Sequence, residues 1–199
     1  MDRAALKQQA KLSLQGRWGW AVGFNLLGLI LASIVGGITF GILEMMVTAG
    51  IEFTFLAVID DREDGSNIFN DIFSGFTSGQ AMAVFLNTLL SGIFIWLWSL
   101  LLVVPGLIKS LAYSQANYIL KDMQDAGTTI GAVDAITASR QLMDGHKWEY
   151  FVLQLSFLGW AIVATLTAGI GYLWLLPYIQ ATNAAYYRQL AGDQFRTAA

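Results

Sequence analysis

The chain has 199 residues, 56% of them hydrophobic and only 13% charged, with a mean hydropathy of +0.56. A water-soluble fold of this length has no interior large enough for so much apolar surface, whereas a helix bundle in lipid leaves it exposed. Eleven basic and fourteen acidic residues with no basic tract argue against nucleic acid as a partner, and zero cysteines exclude disulfides, thiolate catalysis and Cys-ligated metals.

Residues 2–15 predict a basic amphipathic helix, with Leu6, Ala10 and Leu14 at four-residue spacing and Lys7 and Lys11 on the polar side. Segment 1–17 therefore lies in the plane of a membrane surface, and Arg17, Trp18 and Trp20 anchor the entry to the first span. The polar and basic stretch ahead of the first apolar run is too long for a cleavable signal. Apolar runs follow at 20–43 and 43–59; a span needs about 20 helical residues. Together they exceed one span, so Gly36-Gly37 and Gly41 predict a hairpin turn.

Asp60-Asp61-Arg62-Glu63-Asp64-Gly65 opens a cytoplasmic segment, 60–79. Its carboxylates lack the glycine and closing glutamate of a calcium loop, which favours a solvated loop over a cation site. Ser66 reads as the N-cap of a short in-plane helix carrying Ile68, Phe69, Ile72, Phe73 and Phe76 on one side. A third span covers 80–103, Pro105-Gly106 breaks it, and a fourth returns over 106–120. In the polar segment 121–147 a helix from Thr128 or Thr129 through Met143 is expected, stopped by Asp144-Gly145 with glycine as C-cap. The fifth span is 148–167, Gly169-Ile170-Gly171 turns the chain, and the sixth is 172–190 with Pro177. The expected fold is all-α: one polytopic transmembrane bundle, 1–199, of six spans in three hairpins with in-plane helices on the cytoplasmic face. With these spans, ten of the eleven Lys and Arg residues fall on one side, Arg188 in the last turn of the sixth span among them, and the eleventh, Lys109, lies within the fourth. That asymmetry puts both termini in the cytoplasm.

Polar residues inside the spans form the candidate site: Glu52, Lys109, Asn25, Asn87, Gln154 and Gln180. Each opening helix carries a carboxamide one to two turns in, as Asn25, Asn87 and Gln154. Each returning helix has a polar residue soon after a glycine or proline, as Glu52, Lys109 and Gln180. This is either a threefold repeat of the kind found in transport folds or ordinary helix packing by glycines and amides. Glu52, near mid-membrane, is either a proton- or cation-linked site or a neutral or paired carboxyl that ties helices together. A Glu52–Lys109 pair requires two different depths to meet.

A second candidate is the cytoplasmic motif Ser139, Arg140, Asp144, Gly145, His146 and Lys147, which holds the only histidine. His146 can be a base or a pH sensor, but a His-Lys-Trp run at a helix start reads first as an interfacial anchor. Arg140 and Asp144, one helical turn apart, can pair. No phosphate loop, metal-ligand set or nucleophile–base spacing is present, so no cofactor, metal or catalytic residue is assigned and an enzyme is the least favoured reading.

Several motifs together resemble a known family. They are Leu6-Lys7, Ala10-Lys11 and Gly16-Arg17-Trp18; Val104-Pro105-Gly106-Leu107-Ile108-Lys109 with Tyr113; Ala135-Ile136, Ser139-Arg140, Met143 and Gly145-His146-Lys147; Phe151 to Trp160; and Thr167, Gly169-Ile170-Gly171, Pro177-Tyr178 and Tyr186-Tyr187. The chain resembles, over nearly all its length, the bacterial membrane proteins grouped as domain of unknown function 975. The resemblance implies a six-helix protein of the bacterial plasma membrane and supplies no reaction. The expected function is a small transporter-like or lipid-handling bundle; the alternative is an accessory protein docking a partner through its cytoplasmic face. Expected partners are membrane lipids and either a second copy or another membrane protein.

Overall fold

The computed structural model describes residues 2–39, 41, 43–62, 67–77, 79–101, 103–128, 131 and 133–196, and among them the chain forms twelve helices and no strand. Helix α1 (Arg3–Ser13) begins where the Asp2 carboxylate accepts the Ala4 N–H at 2.9 Å. Its Leu6 and Ala10, with Leu14 just beyond, are fully buried, so the four-residue apolar spacing does face a core. Gly16, at φ +79°, ends the turn and redirects the chain by 94° into α2 (Trp18–Thr39). Gly41, at φ +82°, donates its N–H to the Gly36 carbonyl at 2.8 Å, a six-to-one bond of the Schellman type that closes the first hairpin. Gly36 and Gly37 themselves stay helical.

Helix α3 (Glu44–Ile59) buries ten of its sixteen residues and packs against α2 and against helices of both other hairpins. A helix apolar all round is buried on every side. Here protein rather than lipid supplies that cover, which makes α3 the axis of the fold.

The segment expected as one in-plane helix is two short ones, α4 (Ile68–Ile72) and α5 (Ser74–Thr77), docked on α3. Ile72 is fully buried while Phe69 stays exposed. Gly50 and Gly75 permit the contact, since a methyl group on either would strike backbone carbonyls of the other segment. The proposed Ser66 cap, Glu63 to Gly65 and Thr129 lie outside the described residues.

The second hairpin is α6 (Ala81–Leu101) with α7 (Val103–Tyr113). Pro105 falls in the first turn of α7, where its missing N–H leaves no helical bond unmade, so the break precedes the proline. The return expected over 106–120 is itself broken at Ser114-Gln115, and α8 (Ala116–Asp125) carries on into the polar segment. Helix α9 (Asp134–Leu142) starts later than expected, and Gly145 at φ +77° turns the chain after it. The third hairpin joins α10 (Lys147–Leu155) and α11 (Leu158–Leu166), separated by a turn at Ser156-Phe157, to α12 (Tyr172–Ala191), which contains Pro177.

Two stretches are long and apolar enough to cross a membrane, Ala81–Trp98 and Lys147–Leu166, and a third candidate joins Arg3–Ser13 to Trp18–Ile34 across their bend. In contrast to α3, they bury little within the protein and present Trp96, Leu97, Trp98, Leu158, Trp160 and Ile162 outward.

Candidate functional site

Glu52 lies near the middle of α3, partly accessible, where the second hairpin packs against that helix. Asn117 on α8 donates its amide N–H to Glu52 Oε2 at 2.8 Å. The Asn117 side-chain oxygen accepts from Asn87 Nδ2 at 2.8 Å and from the Thr88 hydroxyl at 3.3 Å, both on α6. The result is a chain of bonds from α6 through α8 to a carboxylate on α3. Tyr118, on α8, and Tyr150, on α10 of the third hairpin, lie within electrostatic reach of Glu52. Asn87 Oδ1 is buried without a partner among the described residues, leaving one open acceptor at the far end of the chain.

Of the six intramembrane candidates, the structure brings together Glu52 and Asn87, with Asn117 as the link between them. Gln154 belongs to a parallel bond, donating to Asn183 on α12 at 2.6 Å. Asn25 is buried, and among the described residues it donates only to its own helix, at the Ala21 carbonyl 3.3 Å away. Lys109 does not approach Glu52; its ammonium sits 4.7 Å over the Trp98 ring at the hairpin tip. Among the described residues no side-chain bond joins Gln180 to the chain. The amides do show a common geometry. Asn87 meets Asn117 thirty residues later and Gln154 meets Asn183 twenty-nine residues later, each across its own hairpin. In the first hairpin the residue twenty-nine beyond Asn25 is Thr54, whose hydroxyl turns instead to the carbonyls of Gly50 and Asp71.

The cytoplasmic motif separates into structural parts. Ser139 is fully buried, donates to the Ala112 carbonyl at 2.8 Å and accepts the Gln115 backbone N–H at 3.2 Å. It thereby ties α9 to the turn between α7 and α8. Arg140 is exposed, and Asp144 takes Lys147 at 3.2 Å in place of the expected Arg140. His146 lies 3.3 Å from Glu149 through Nδ1, and its backbone carbonyl accepts the Tyr186 hydroxyl at 3.4 Å.

A cluster of charges escaped the sequence reading. Asp60, expected in a solvated loop, has a side chain only 5% exposed, and Asp122 only 1%. Arg188 forks onto Asp122 at 2.7 and 3.1 Å and reaches Asp60 at 2.7 Å, while the Tyr187 hydroxyl donates to Asp122 at 2.7 Å. Arg196 joins Asp60, Arg62 bridges Asp60 and Asp125 at 2.9 and 3.1 Å, and Lys121 pairs with Asp125. With guanidinium groups around it, Asp60 has no vacancy for a hard cation. Asp60, Asp122 and Arg188 stand at or near the C-terminal ends of α3, α8 and α12, a regularity visible in the sequence only once the returning helices are aligned. Among the described residues no group of three or more His, Asp or Glu is arranged around a common metal position.

The model of a family described as "Protein of unknown function (DUF975)" matches residues 100–194. The match takes in α7 to α12, with the Val104–Lys109 and Ser139–Lys147 motifs, whereas Leu6 to Trp18 fall outside it. No curated protein and no solved structure matches the chain.

Proposed function

We propose, from the premise that this chain belongs through residues 100–194 to the family of unknown function DUF975, that it is a transporter-like membrane bundle with Glu52 at its polar centre. In this reading α2, α3, α6, α7 with α8, α10 with α11, and α12 make six passes in three hairpins of a bacterial plasma membrane protein. The ion cluster and both described ends face the cytoplasm, following the Lys and Arg asymmetry. Helix α3 is about 24 Å long, short of the roughly 30 Å hydrocarbon layer, which suits a helix wrapped by protein.

The observation that carries the proposal is one carboxylate, on the helix that the rest of the protein wraps, hydrogen-bonded across helices of the first and second hairpins. An ionisable residue at such depth costs about 2.5–3.5 kcal/mol on insertion scales and marks ion, proton or substrate pathways. Reconstituted protein should support proton or lipid flux across liposomes, and Glu52→Gln should abolish it while leaving the helical content intact. Equal flux in both, or none in either, overturns the proposal.

A second reading, an accessory protein that docks a partner, is favoured by a groove of about 360 Å³ between α9 and the end of α12, lined by Gln141, Asp144, His146, Leu190 and Phe195 among others. Crosslinking from Arg140 should then recover one reproducible partner; recovery of lipid alone counts against it.

A further inference from the structure

Between α1 and the third hairpin lies a slot of about 300 Å³ whose walls are Trp18, Trp160, Val163, Trp174 and Tyr178, with Lys11 its one charged lining residue. The size is at the lower end of ligand pockets, enough for part of an acyl chain. Trp160, Val163 and Trp174 are all more than half exposed, so the slot opens onto the outward apolar surface of α11 and α12 rather than into the core.

Lys11 does not stand alone. Arg3, Lys7 and Lys11 follow one another at four-residue spacing, which stacks them on one face of α1. Among the described residues no ion pair joins any of the three to a carboxylate. The Lys7 ammonium sits 4.2 Å over the Phe157 ring and donates to the Ser156 carbonyl at 3.3 Å; Lys11 lies 5.6 Å over Tyr178. A second hollow, about 410 Å³ and lined by Asp2, Arg3, Ala4, Lys7 and Ser156, continues the basic strip away from the slot. Burial, then the like charges of Arg3 and Lys11, push Lys7 below the usual lysine range, so an anion laid along the strip relieves a standing repulsion. With α2 crossing the membrane as proposed above, the 94° bend between α1 and α2 sets α1 flat at the level of lipid headgroups.

We infer that this is a site for an anionic phospholipid, one acyl chain in the tryptophan-walled slot and the phosphate on Lys11 and Lys7. The site shares no residue with the Glu52 chain and does not depend on the transport reading. The full-length protein in neutral detergent, offered equal amounts of phosphatidylglycerol and phosphatidylcholine, should retain the anionic lipid preferentially in native mass spectrometry. Lys11→Gln should cut phosphatidylglycerol retention roughly five- to tenfold, and Lys11→Arg should keep it. Val163→Trp, which fills the slot from its exposed side and spares the core, should lower retention of both lipids. Lys109→Gln, at the distant hairpin tip, should change nothing. Equal retention of the two lipids by the wild type overturns the site, as does an equal loss in Lys109→Gln, or a Val163→Trp protein that holds phosphatidylglycerol undiminished. Complete displacement by equimolar oleate overturns the phospholipid assignment in favour of a fatty acid.

Discussion

Gly50 of α3 lies hard against the backbone of the α4–α5 segment, and Gly50→Ala tests whether that approach holds the first two hairpins together. A β-carbon at Gly50 would fall well inside van der Waals contact with the Ile72 carbonyl oxygen, 2.9 Å from the Ile72 carbonyl carbon and 3.1 Å from the Asp71 oxygen. Ordinary carbon–oxygen contacts lie at about 3.3–3.6 Å, so the segment must retreat by roughly 1 Å. It has no side-chain end that can swing aside, because the atoms struck are backbone. The retreat also stretches the Thr54 hydroxyl bond to the Asp71 carbonyl, now 3.3 Å, and the Ser74 bond to the Gly50 carbonyl, now 3.5 Å. Overpacking of this kind costs about 1–3 kcal/mol, and alanine in a helix interior recovers about 0.5–1. The expected net loss is about 1–2 kcal/mol, roughly a five- to thirtyfold fall in the ratio of folded to unfolded protein. Sodium dodecyl sulfate titration in mixed micelles, followed by tryptophan fluorescence, reads that loss. Gly23→Ala on α2, where a β-carbon meets nothing within 4 Å, is the control and should be neutral or slightly stabilising. If Gly50→Ala matches Gly23→Ala, the close approach is not what holds α4 and α5 on α3.

Asp122→Asn should cost about 3 kcal/mol in the same titration, because it breaks a buried fork to Arg188, whereas Lys121→Gln, in a more exposed pair, should cost under about 0.5. Similar losses in both would contradict the burial argument. Asn117→Leu strips Glu52 of its donor and Asn87 of its acceptor, for an expected loss of about 2 kcal/mol. Asn25→Leu, which breaks only a bond to its own helix, should lose clearly less in the same micelle titration. His146→Gln should leave insertion and stability within about 0.5 kcal/mol, since Tyr186 bonds its backbone carbonyl and not its ring. Normal insertion with lost flux would instead make His146 part of a site.

The hairpins were legible because their signals are local: long apolar runs, Gly41, Gly145, and the Pro105 and Gly169–Gly171 breaks. What surrounds each run was not. The α3 run is as apolar as a lipid-facing span, and only the packing of the other two hairpins makes it a core. Glu52 and Asn87 could be singled out as misplaced polar groups, but Asn117 as their link depends on the register between hairpins, which no local pattern encodes. Ser139 looked like part of a reactive motif because it sits beside charges, yet its hydroxyl is a buried tether. Of the Asp60, Asp122 and Arg188 cluster the sequence singles out Asp60 alone, as part of a solvated loop, because its members come from three different hairpins.

That cluster has a mechanical consequence. It fastens the C-terminal ends of α3, α8 and α12 to one another, whereas the described hairpin tips present tryptophans and leucines outward. A bundle clamped at one end works as a tripod with a stiff head: rotation starts at the clamp and grows with distance from it. Along a twenty-residue helix of about 30 Å, a tilt of about 5° carries the tip by roughly 2.5 Å while the ion pairs at the base scarcely move. Under the transport proposal, opening a path beside Glu52 does not require breaking the charged head, only splaying the legs.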